Sequence, residues 1–385
     1  MKIAITVENF DENKGYLEYY LAKELVKLGN NVLIITFNRG KEVVERTLEG
    51  FKVIYLPYIL KVGPFHIPTL KALKYLVKVI KQSHLDVIHC QPLLSFLSLF
   101  SFLLKNLYSY ECVGSLITGY YNIRKPVKKL AFYMYIGFFK LLLRKQVKYI
   151  FAINKNVAKL IHQLFNVPYH QIMIIPLGAD PDLFKPYLLD GFQRVQIREK
   201  LGIGSNDTVI CYSGKIIPSK RLHLLLKAVS EIVKEKNYGN NVKILIIGRG
   251  DKNYIRYLKR LVSNLNLDGN VIFHPPVHRL KLPLFYNISD IAVWPGAPSI
   301  SILEAASTGL PVITGSPLFY EEIEKYNMGF TFRDNIDKFK KCLEMLIENK
   351  LLREKIGSNA RKNIIKRFNW SLIAREYINI YADLK

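Results

Sequence analysis

The sequence lacks the cysteine and leader patterns that define several large classes of protein. Its four cysteines lie far apart and show no paired spacing: Cys90, Cys112, Cys211 and Cys342. Zinc sites, redox motifs and disulfide frameworks need paired spacings, so a reducing cytosol is the expected compartment. The first residues, MKIAITVENF, lack a basic region followed by a long apolar core. A secretory signal is therefore not predicted.

Long apolar runs are also missing. The most apolar stretch, residues 92–104, reads PLLSFLSLFSFLL, and the next, residues 130–143, is interrupted by Lys140. Crossing a bilayer takes about 20 apolar residues, so neither stretch is predicted to span a membrane. Each could form a buried helix or lie at an interface.

Acidic residues are scarce. The chain of 385 residues carries 56 Lys and Arg against 31 Asp and Glu, a formal net charge of +25, which favours an anionic partner. Since 50% of the residues are hydrophobic, the chain can bury a large core and disorder is excluded. The length fits two domains better than one.

Several catalytic and nucleotide-binding motifs are absent as well. No G-x-G-x-x-G follows the first strand, where a single glycine, Gly15, precedes the first helix, and hydride chemistry is disfavoured. Neither a G-x-x-x-x-G-K-[ST] loop nor a G-x-S-x-G elbow occurs. Asp180-Pro181-Asp182 matches a D-x-D metal pattern by letter, but it leaves a strand-like run and is interpreted as a turn. No metal site is predicted.

What the sequence does contain is an alternation of strand-like and helix-like segments that begins again after Asp190. This alternation predicts an α/β fold with two Rossmann-like domains, each built on a parallel sheet with both faces covered. We expect an N-terminal domain over residues 1–190, a C-terminal domain over 191–368 and a terminal helix over 369–385 that packs back on the N-terminal domain. Residues 176–204, rich in Pro, Gly and polar residues, are predicted to be the hinge.

A purely basic segment stands out in the first half. Between Glu111 and Asp180 the chain has no acidic residue. Apolar side chains there alternate with cations, a mixture that suits an anionic membrane surface. A buried helix or a solvated basic face is the alternative. The residues predicted to face the membrane are Arg124, Lys125, Lys128, Lys129, Lys140, Arg144, Lys145 and Lys148.

The segment CYSGKIIPSKR, residues 211–221, runs from a strand through a glycine to three cations and then a helix. Gly214 allows close backbone approach, and Lys215 and Lys220 can both reach a diphosphate that lies across the strand ends. We predict a phosphate clamp here, although a solvated basic loop would explain any one of these lysines.

The segment WPGAPSISILEAASTGLPVI, residues 294–313, repeats the order of strand, loop of small residues and helix. Ser299 is predicted to be the helix N-cap, and the N–H groups of Ile300 and Ser301, with the helix dipole, form an anion site. Glu304 lies one turn further in, where its carboxylate can accept both hydroxyls of a ribose. A surface helix residue is the alternative.

In this order the segments resemble the retaining glycosyltransferases of the GT-B fold in glycosyltransferase family 4 (glycosyl transferases group 1). The resemblance runs nearly from end to end and rests on YLEYYLAKELVKLGNNVLIIT, IIPLGADPDLFKP, SGKIIPSKR, YNISDIAVWP and LEAASTGLPVI. It implies two domains that face each other across a cleft, the N-terminal one toward acceptor and membrane and the C-terminal one binding the nucleotide sugar. No cofactor is expected beyond a UDP- or GDP-linked sugar as co-substrate.

The resemblance also implies roles for single residues. Lys215 and Lys220 would be catalytic, holding the donor's diphosphate and stabilising it as it leaves. Glu304 would bind the nucleotide ribose, and Gly15 would let the first loop approach the transferred sugar. The remaining predicted donor-binding residues are Gly214, Arg221, Gly296, Ser299, Ile300 and Ser301.

The sequence departs from the family at four places. The family's paired glutamates are eight positions apart, and Gly296 stands where the first is expected. Lys215 replaces the usual arginine, and Arg221 the usual glycine. A histidine often found around residues 118–120 is missing; His89 is the nearest candidate and could equally be a packed residue.

The expected protein is a nucleotide-sugar-dependent, retaining hexosyltransferase with a lipid-linked or glycan acceptor. It is expected to be cytoplasmic and peripheral on the cytosolic face of the membrane. An epimerase of the same fold, and a non-catalytic subunit that binds nucleotide sugar or membrane for a partner transferase, remain alternatives. Nucleic acid is not an expected partner, because the basic residues are spread over both domains without a recognition module.

Overall fold

The computed structural model describes residues 1–12, 16–62, 65–116, 126–186, 191–239, 241–297, 299–315 and 317–384. The chain folds into two compact α/β units. One unit combines Met1–Leu177 with Trp370–Lys385, and the other is Gly178–Asn369.

The first unit begins with β1, whose central residues Ile3, Ala4 and Ile5 are fully buried. An apolar strand covered on both faces is typical of a parallel sheet. The elements of this stretch are β1 (Lys2–Thr6), α1 (Leu17–Lys27), β2 (Asn31–Asn38), β3 (Val44–Leu48), β4 (Phe51–Val62), β5 (Phe65–Pro68), α2 (Leu70–Ser83), β6 (Val87–Cys90), α3 (Phe96–Leu104), β7 (Glu111–Leu116), α4 (Pro126–Gln146), β8 (Val147–Ala152), α5 (Lys155–Phe165) and β9 (Ile172–Ile174).

These strands form one sheet in the order β3-β4-β2-β1-β6-β7-β8-β9, with β5 paired to β4. Strands β3 and β5 run antiparallel to β4, and the other pairs are parallel. From β1 the chain builds outward through β2 and then crosses to β6 on the other side. The switch point between β1 and β6 is where sheets of this kind bind ligands, outside the carboxyl ends of the strands.

The second unit has a six-stranded parallel sheet in the order β12-β11-β10-β13-β14-β15, with its switch point between β10 and β13. Its elements are α6 (Gly191–Lys200), β10 (Thr208–Ser213), α7 (Leu222–Lys236), β11 (Val242–Ile247), α8 (Lys252–Asn264), β12 (Val271–His274), α9 (Leu282–Asn287), β13 (Ile291–Trp294), α10 (Ser301–Ser307), β14 (Val312–Thr314), α11 (Pro317–Lys325), β15 (Gly329–Thr331), α12 (Ile336–Glu348) and α13 (Lys350–Arg367).

The second unit begins at Gly178 rather than at residue 191. The reason is a set of contacts that composition does not reveal. The N–H of Ala179 donates to the carbonyl of Phe368 over 2.8 Å, and Arg361 of α13 donates to the carbonyl of Phe184 over 2.9 Å. The start of the predicted hinge is therefore built into the second unit.

The end of the predicted hinge is ordered as well, because it contains helix α6. Arg198 of this helix is 4% exposed and lies 3.3 Å from Asp290 Oδ2, just before β13. The same guanidinium donates to the carbonyl of Asp207. The predicted hinge over residues 176–204 therefore contains a helix, α6, that packs on the second unit.

Helix α14 (Trp370–Ala382) belongs to the first unit. Trp370 stacks on Tyr20 of α1, with ring centroids 5.5 Å apart and planes inclined by 6°. The hydroxyl of Tyr381 lies 2.7 Å from Nδ1 of His89 on β6. All four side chains are buried, so α14 contributes core residues to a unit that starts almost 370 residues earlier in the chain.

Candidate donor-binding site

The loop after β10 begins at Gly214, the residue predicted to allow close approach of a ligand. Gly214 has φ +140°, in the region that favours glycine. Lys215 follows and is exposed, and its carbonyl accepts a hydrogen bond from the hydroxyl of Tyr212 over 2.7 Å. A single 3-10 turn, Pro218–Lys220, then leads into α7.

Lys220 lies at the switch point between β10 and β13. Its Nζ donates to the carbonyl of Ala297, in the loop after β13, over 2.8 Å. Burial and the neighbouring charge of Lys215 lower the pKa of Lys220 to about 8. The charge of Lys215 therefore disfavours the charged form of Lys220, and an anion bound next to both lysines would relieve that repulsion.

Gly296 brings the loop after β13 against the turn that carries Lys220. A Cβ at this position would lie 2.2 Å from the carbonyl oxygen of Ser219 and 2.9 Å from Cα of Lys220. The N–H of Ala297 donates to the same carbonyl over 2.9 Å. The missing glutamate of the family is thus replaced by a backbone contact that leaves no room for any side chain.

We expect Gly296→Glu, which restores the family's carboxylate, to lower stability without raising turnover. The new side chain would push the two loops apart, at a cost of about 1–3 kcal/mol, and would move Lys220. Melting temperature and turnover measure both effects. The control is Gly137→Ala on α4, where an added Cβ meets no heavy atom within 4 Å and alanine favours the helix. A Gly296→Glu protein that melts like wild type and turns over faster would contradict the expectation.

Arg221 occupies a backbone conformation that explains why the family usually has glycine here. Its φ is +53°, in the left-handed region that costs most residues about 1 kcal/mol or more. The guanidinium forms an ion pair with Asp334. Arg221 therefore lies next to the predicted clamp with its charge directed to a partner within the second unit.

The loop before α10 differs from the expected N-cap by one residue. The N-cap position is Ile300, already in helical conformation, and α10 begins at Ser301. The N–H of Ile302 donates to the carbonyl of Ser299 over 3.2 Å, while Ser299 Oγ accepts from the Ser301 N–H at only 3.4 Å. A tight i to i+3 turn starts the helix, so the prediction that Ser299 is the N-cap was wrong.

Glu304 is the most buried carboxylate of the site. The residue is 1% exposed, so the alternative of a surface helix residue does not apply. Its Oε1 lies 2.5 Å from Nη2 of Arg279. Burial raises the pKa of Glu304, whereas Arg279 and Ser301 oppose that rise. The guanidinium of Arg279 also lies over the ring of Phe184, 5.0 Å from its centroid. One carboxyl oxygen of Glu304, the residue predicted to bind the ribose, is thus paired with an arginine.

Arg279 is the site residue that the sequence did not reveal. It stands in VHRLKLPLF, a stretch with two more basic residues and no motif. Only the fold brings Arg279, in the turn before α9, next to Glu304 of α10, which lies 25 positions further along the chain. No local pattern could have identified the pair with Glu304.

A buried polar chain connects the two strands of the switch point. The hydroxyls of Ser213 and Tyr286 lie 2.6 Å apart, and Trp294 Nε1 donates to the carbonyl of Ser213 over 3.0 Å. Burial raises the pKa of Tyr286 well above its usual value, an effect that a hydrogen bond with Ser301 opposes. Strand ends and the start of α10 are therefore held together beneath the predicted clamp.

The predictions for the first unit have different outcomes. Gly15 and the Thr118-Gly119-Tyr120 segment lie outside the described residues. His89 is a packed residue: its Nε2 lies 2.5 Å from Ser115 Oγ, and burial lowers its pKa to about 3.

Two family models match the chain. The one described as glycosyl transferases group 1 matches residues 193–363, and the one described as Glycosyltransferase Family 4 matches residues 18–183. Together they cover most of both units.

Curated relatives and solved structures agree with these matches. An uncharacterized glycosyltransferase of Methanocaldococcus jannaschii is 25% identical over 237 residues, which is 60% of this chain and 59% of that protein. A UDP-Gal:alpha-D-GlcNAc-diphosphoundecaprenol alpha-1,3-galactosyltransferase of Escherichia coli is 26% identical over 344 residues, 84% of each chain. The chain thus spans about three fifths of the first relative's length. The Anabaena protein HepE in complex with UDP shares the fold, with a TM-score of 0.77, 17% identity and full coverage of both chains.

Proposed function

The chain belongs to the GT-B glycosyltransferases of family 4, and from this premise we propose that it transfers a sugar from a nucleotide-sugar donor to a lipid-linked or glycan acceptor with retention of anomeric configuration. The observation that carries the proposal is the pair Lys215 and Lys220 at the switch point of the second unit. A diphosphate leaving group needs positive charge, which these two residues would supply.

The proposed reaction requires few protein groups besides these two lysines. As the bond between the anomeric carbon and the donor phosphate breaks, negative charge grows on the diphosphate. Lys220 and Lys215, preorganised by the contact with Ala297 and by the backbone at Gly214, would stabilise that charge. The acceptor oxygen forms the new bond to the anomeric carbon, and its proton passes to the departing phosphate. The proposal involves no protein nucleophile and no metal.

The relatives support the choice of substrates. The Anabaena structure holds UDP, and the Escherichia coli relative is a UDP-Gal-dependent enzyme whose acceptor is a diphosphoundecaprenol-linked sugar. A sugar carried on a polyprenyl diphosphate is therefore the acceptor that we propose first for this chain.

The test is transfer of radiolabel from a panel of UDP- and GDP-sugars to GlcNAc-diphosphoundecaprenol and to total membrane lipid. Label in the organic phase, cleaved by a glycosidase of matching anomeric specificity, supports retaining transfer. Conversion of the donor's sugar without an acceptor would favour the epimerase alternative. Nucleotide-sugar binding without any turnover would overturn the proposal in favour of a non-catalytic subunit.

We further propose that helix α4 places the protein on an anionic membrane. Ile136, Phe139 and Leu143 of this helix are buried, at 5% exposure or less. On the opposite face, the apolar side chains of Met134, Phe138 and Leu141 are 69%, 48% and 66% exposed. The two faces differ because a helix separates residues by their spacing of three and four, and the exposed apolar face supports the interfacial interpretation.

The basic residues predicted to face the membrane are only partly described. Lys145 is exposed and Lys140 half-buried on α4. Lys148 lies on β8, and its Nζ donates to the carbonyl of Asp383 over 2.7 Å. Lys128, Lys129 and Arg144 lie within α4, and Arg124 and Lys125 lie outside the described residues. Among the helices that the structure describes, none has the length and apolarity to cross a bilayer, so the attachment we propose is interfacial.

We expect the protein to float with anionic vesicles and not with neutral ones, because each cation near an anionic surface contributes about 1 kcal/mol. Replacing Met134, Phe138 and Leu141 together with glutamine should reduce flotation at least tenfold. The control is Leu351→Gln, which removes a side chain that is 77% exposed on α13 of the other unit. Equal flotation on both vesicle types, or an unaffected triple variant, would overturn the membrane proposal.

A further inference from the structure

A buried carboxyl and imidazole pair lies at the carboxyl edge of the first unit's sheet. Glu8 comes two residues after the end of β1, and His66 lies on β5. Oε2 of Glu8 lies 2.7 Å from Nδ1 of His66 and accepts the backbone N–H of His66 over 2.8 Å. Glu8 is 6% exposed and His66 3%. The pair is therefore built into the fold rather than placed on its surface.

The β4–β5 hairpin brings His66 to this position. Strand β4 pairs with β2 as far as Pro57 and then continues with β5, where Lys61 is opposite His66. The imidazole packs against the rings of Phe37 and Tyr58, with centroids 5.2 and 4.4 Å away. The hairpin thus reaches from β4 across the end of β2 to the end of β1.

The second carboxyl oxygen of Glu8 is left without a partner. Oε1 is buried and makes no hydrogen bond within the described part of the chain. Burial raises the pKa of Glu8 to about 8 and lowers that of His66 to about 4, the latter with help from Lys61 and Arg39. The pair is thus uncharged near neutral pH. Whichever group holds the proton, Oε1 keeps a hydrogen-bonding capacity unfilled, which is rare for a buried oxygen.

Two more buried oxygens at the same edge share this property. Thr6 Oγ1 on β1 and Gln91 Oε1, just after β6, have no hydrogen-bond partner among the residues that the structure describes. The N–H of Gln91 donates to the carbonyl of Thr6 over 2.9 Å, and its side-chain amide donates to Glu18 over 3.0 Å. Thr6 and Gln91 therefore lie at the switch point between β1 and β6, where a ligand is expected, and Glu8 follows the end of β1 at the same edge of the sheet.

We propose that Glu8, held in place by His66, binds a hydroxyl group of a sugar substrate. A hydroxyl both donates and accepts, so it satisfies Oε1 whether the carboxyl is neutral or ionised. When the proton of the pair lies between Oε2 and Nδ1, Oε1 can only accept, and a phosphate, which also only accepts, would leave it without a partner. The inference rests on the proposed function, because the sugar belongs either to the acceptor or to the donor.

The test measures equilibrium binding to the full-length protein, so that it does not depend on turnover. The probes are methyl glycosides of common hexoses and N-acetylhexosamines, a matching set of UDP-sugars, and UDP alone as the reference. Glu8→Ala should weaken binding of the recognised sugar about tenfold and leave UDP unchanged. Glu8→Gln, which keeps a polar group able to donate and accept, should recover most of the loss.

The two sources of the hydroxyl give different results. If it belongs to the acceptor, Glu8→Ala weakens the methyl glycoside and leaves UDP-sugar affinity unchanged. If it belongs to the donor, affinity for the UDP-sugar falls toward that of UDP. One monodeoxy analogue of the bound sugar should bind wild type more weakly than the parent sugar does. Glu8→Ala, in contrast, should bind this analogue and the parent sugar with equal affinity.

The matched control is Glu24→Gln, a buried carboxylate on α1 that is paired with Lys27 over 2.6 Å; it should bind like wild type. Melting curves establish that the Glu8 variants are folded at the binding temperature. Sugar binding that is the same in wild type, Glu8→Ala and Glu8→Gln overturns the inference, as does a wild type that binds no sugar of either set. Failure of transfer with sugar binding intact would instead count against the proposed function alone.

Discussion

Replacing Lys220 with alanine is expected to lower turnover by between about a hundredfold and a thousandfold, the usual effect of removing one preorganised group that stabilises a developing negative charge. Lys220 lies against the carbonyl of Ala297, so its amine is already positioned before the donor binds. Transfer of radiolabel under saturating donor measures the loss. The control is Lys227→Ala, an exposed lysine on α7, which should keep wild-type turnover and melting temperature.

The same lysine predicts the alkaline limb of the pH profile. Because its pKa is lowered to about 8 from the ordinary 10.5, the free protein loses the Lys220 charge as pH rises through about 8, and kcat/KM should fall there. A bound diphosphate favours the cation, so the limb of kcat should lie at higher pH. Arginine stays charged throughout, so Lys220→Arg should lack the limb. A Lys220→Ala protein with unchanged turnover, or a Lys220→Arg protein with the same limb, would contradict the clamp.

The second large effect concerns Glu304 and Arg279. Removing one partner of a buried ion pair costs about 3–5 kcal/mol, because the other charge stays buried and unpaired. The two alanine substitutions should differ in the stability that they cost. Arg279 cannot lose its proton, whereas Glu304 can become neutral, and burial already raises the pKa of Glu304. Glu304→Ala is therefore expected to lower the free energy of unfolding more than Arg279→Ala does.

Urea unfolding of both single variants and of the double variant completes the comparison, since the double variant removes the unpaired charge and should be more stable than Glu304→Ala. UDP affinity, measured on the folded proteins, should fall in Glu304→Ala if this carboxylate binds the ribose. The control is Glu354→Ala, whose exposed carboxylate lies 3.9 Å from Lys350 and should cost less than about 0.5 kcal/mol. Equal losses of unfolding free energy in Glu304→Ala and Arg279→Ala would contradict the expected difference between them.

The central strands were the easiest part of the fold to predict. Runs such as Val242–Ile247 and Ile291–Trp294 are continuous, apolar and buried, as parallel strands between two helical layers must be. The β4–β5 hairpin escaped prediction because PYILKVGPFHIP contains three prolines, and proline usually interrupts a strand. In the structure, Pro57 is the last β4 residue to pair with β2 and Pro68 the last residue of β5, so two of the prolines end a pairing instead.

The site divides along the same line. The positions of Gly214 and Lys220 could be predicted because strand, glycine and cations are consecutive in the chain. The pairs Arg279 with Glu304 and Glu8 with His66 could not, because each joins residues that are distant in sequence and carries no motif. The fold alone selects such partners, by the order of strands and by the path of a hairpin.

The division of the first unit between Met1–Leu177 and Trp370–Lys385 has a consequence for biosynthesis. While the chain emerges from the ribosome, the second unit is complete before helix α14 has been made. The core of the first unit then lacks Trp370 beside Tyr20 and the Tyr381 hydroxyl beside His89. The first unit, although most of it is translated first, therefore acquires its full core only after the final helix has been made.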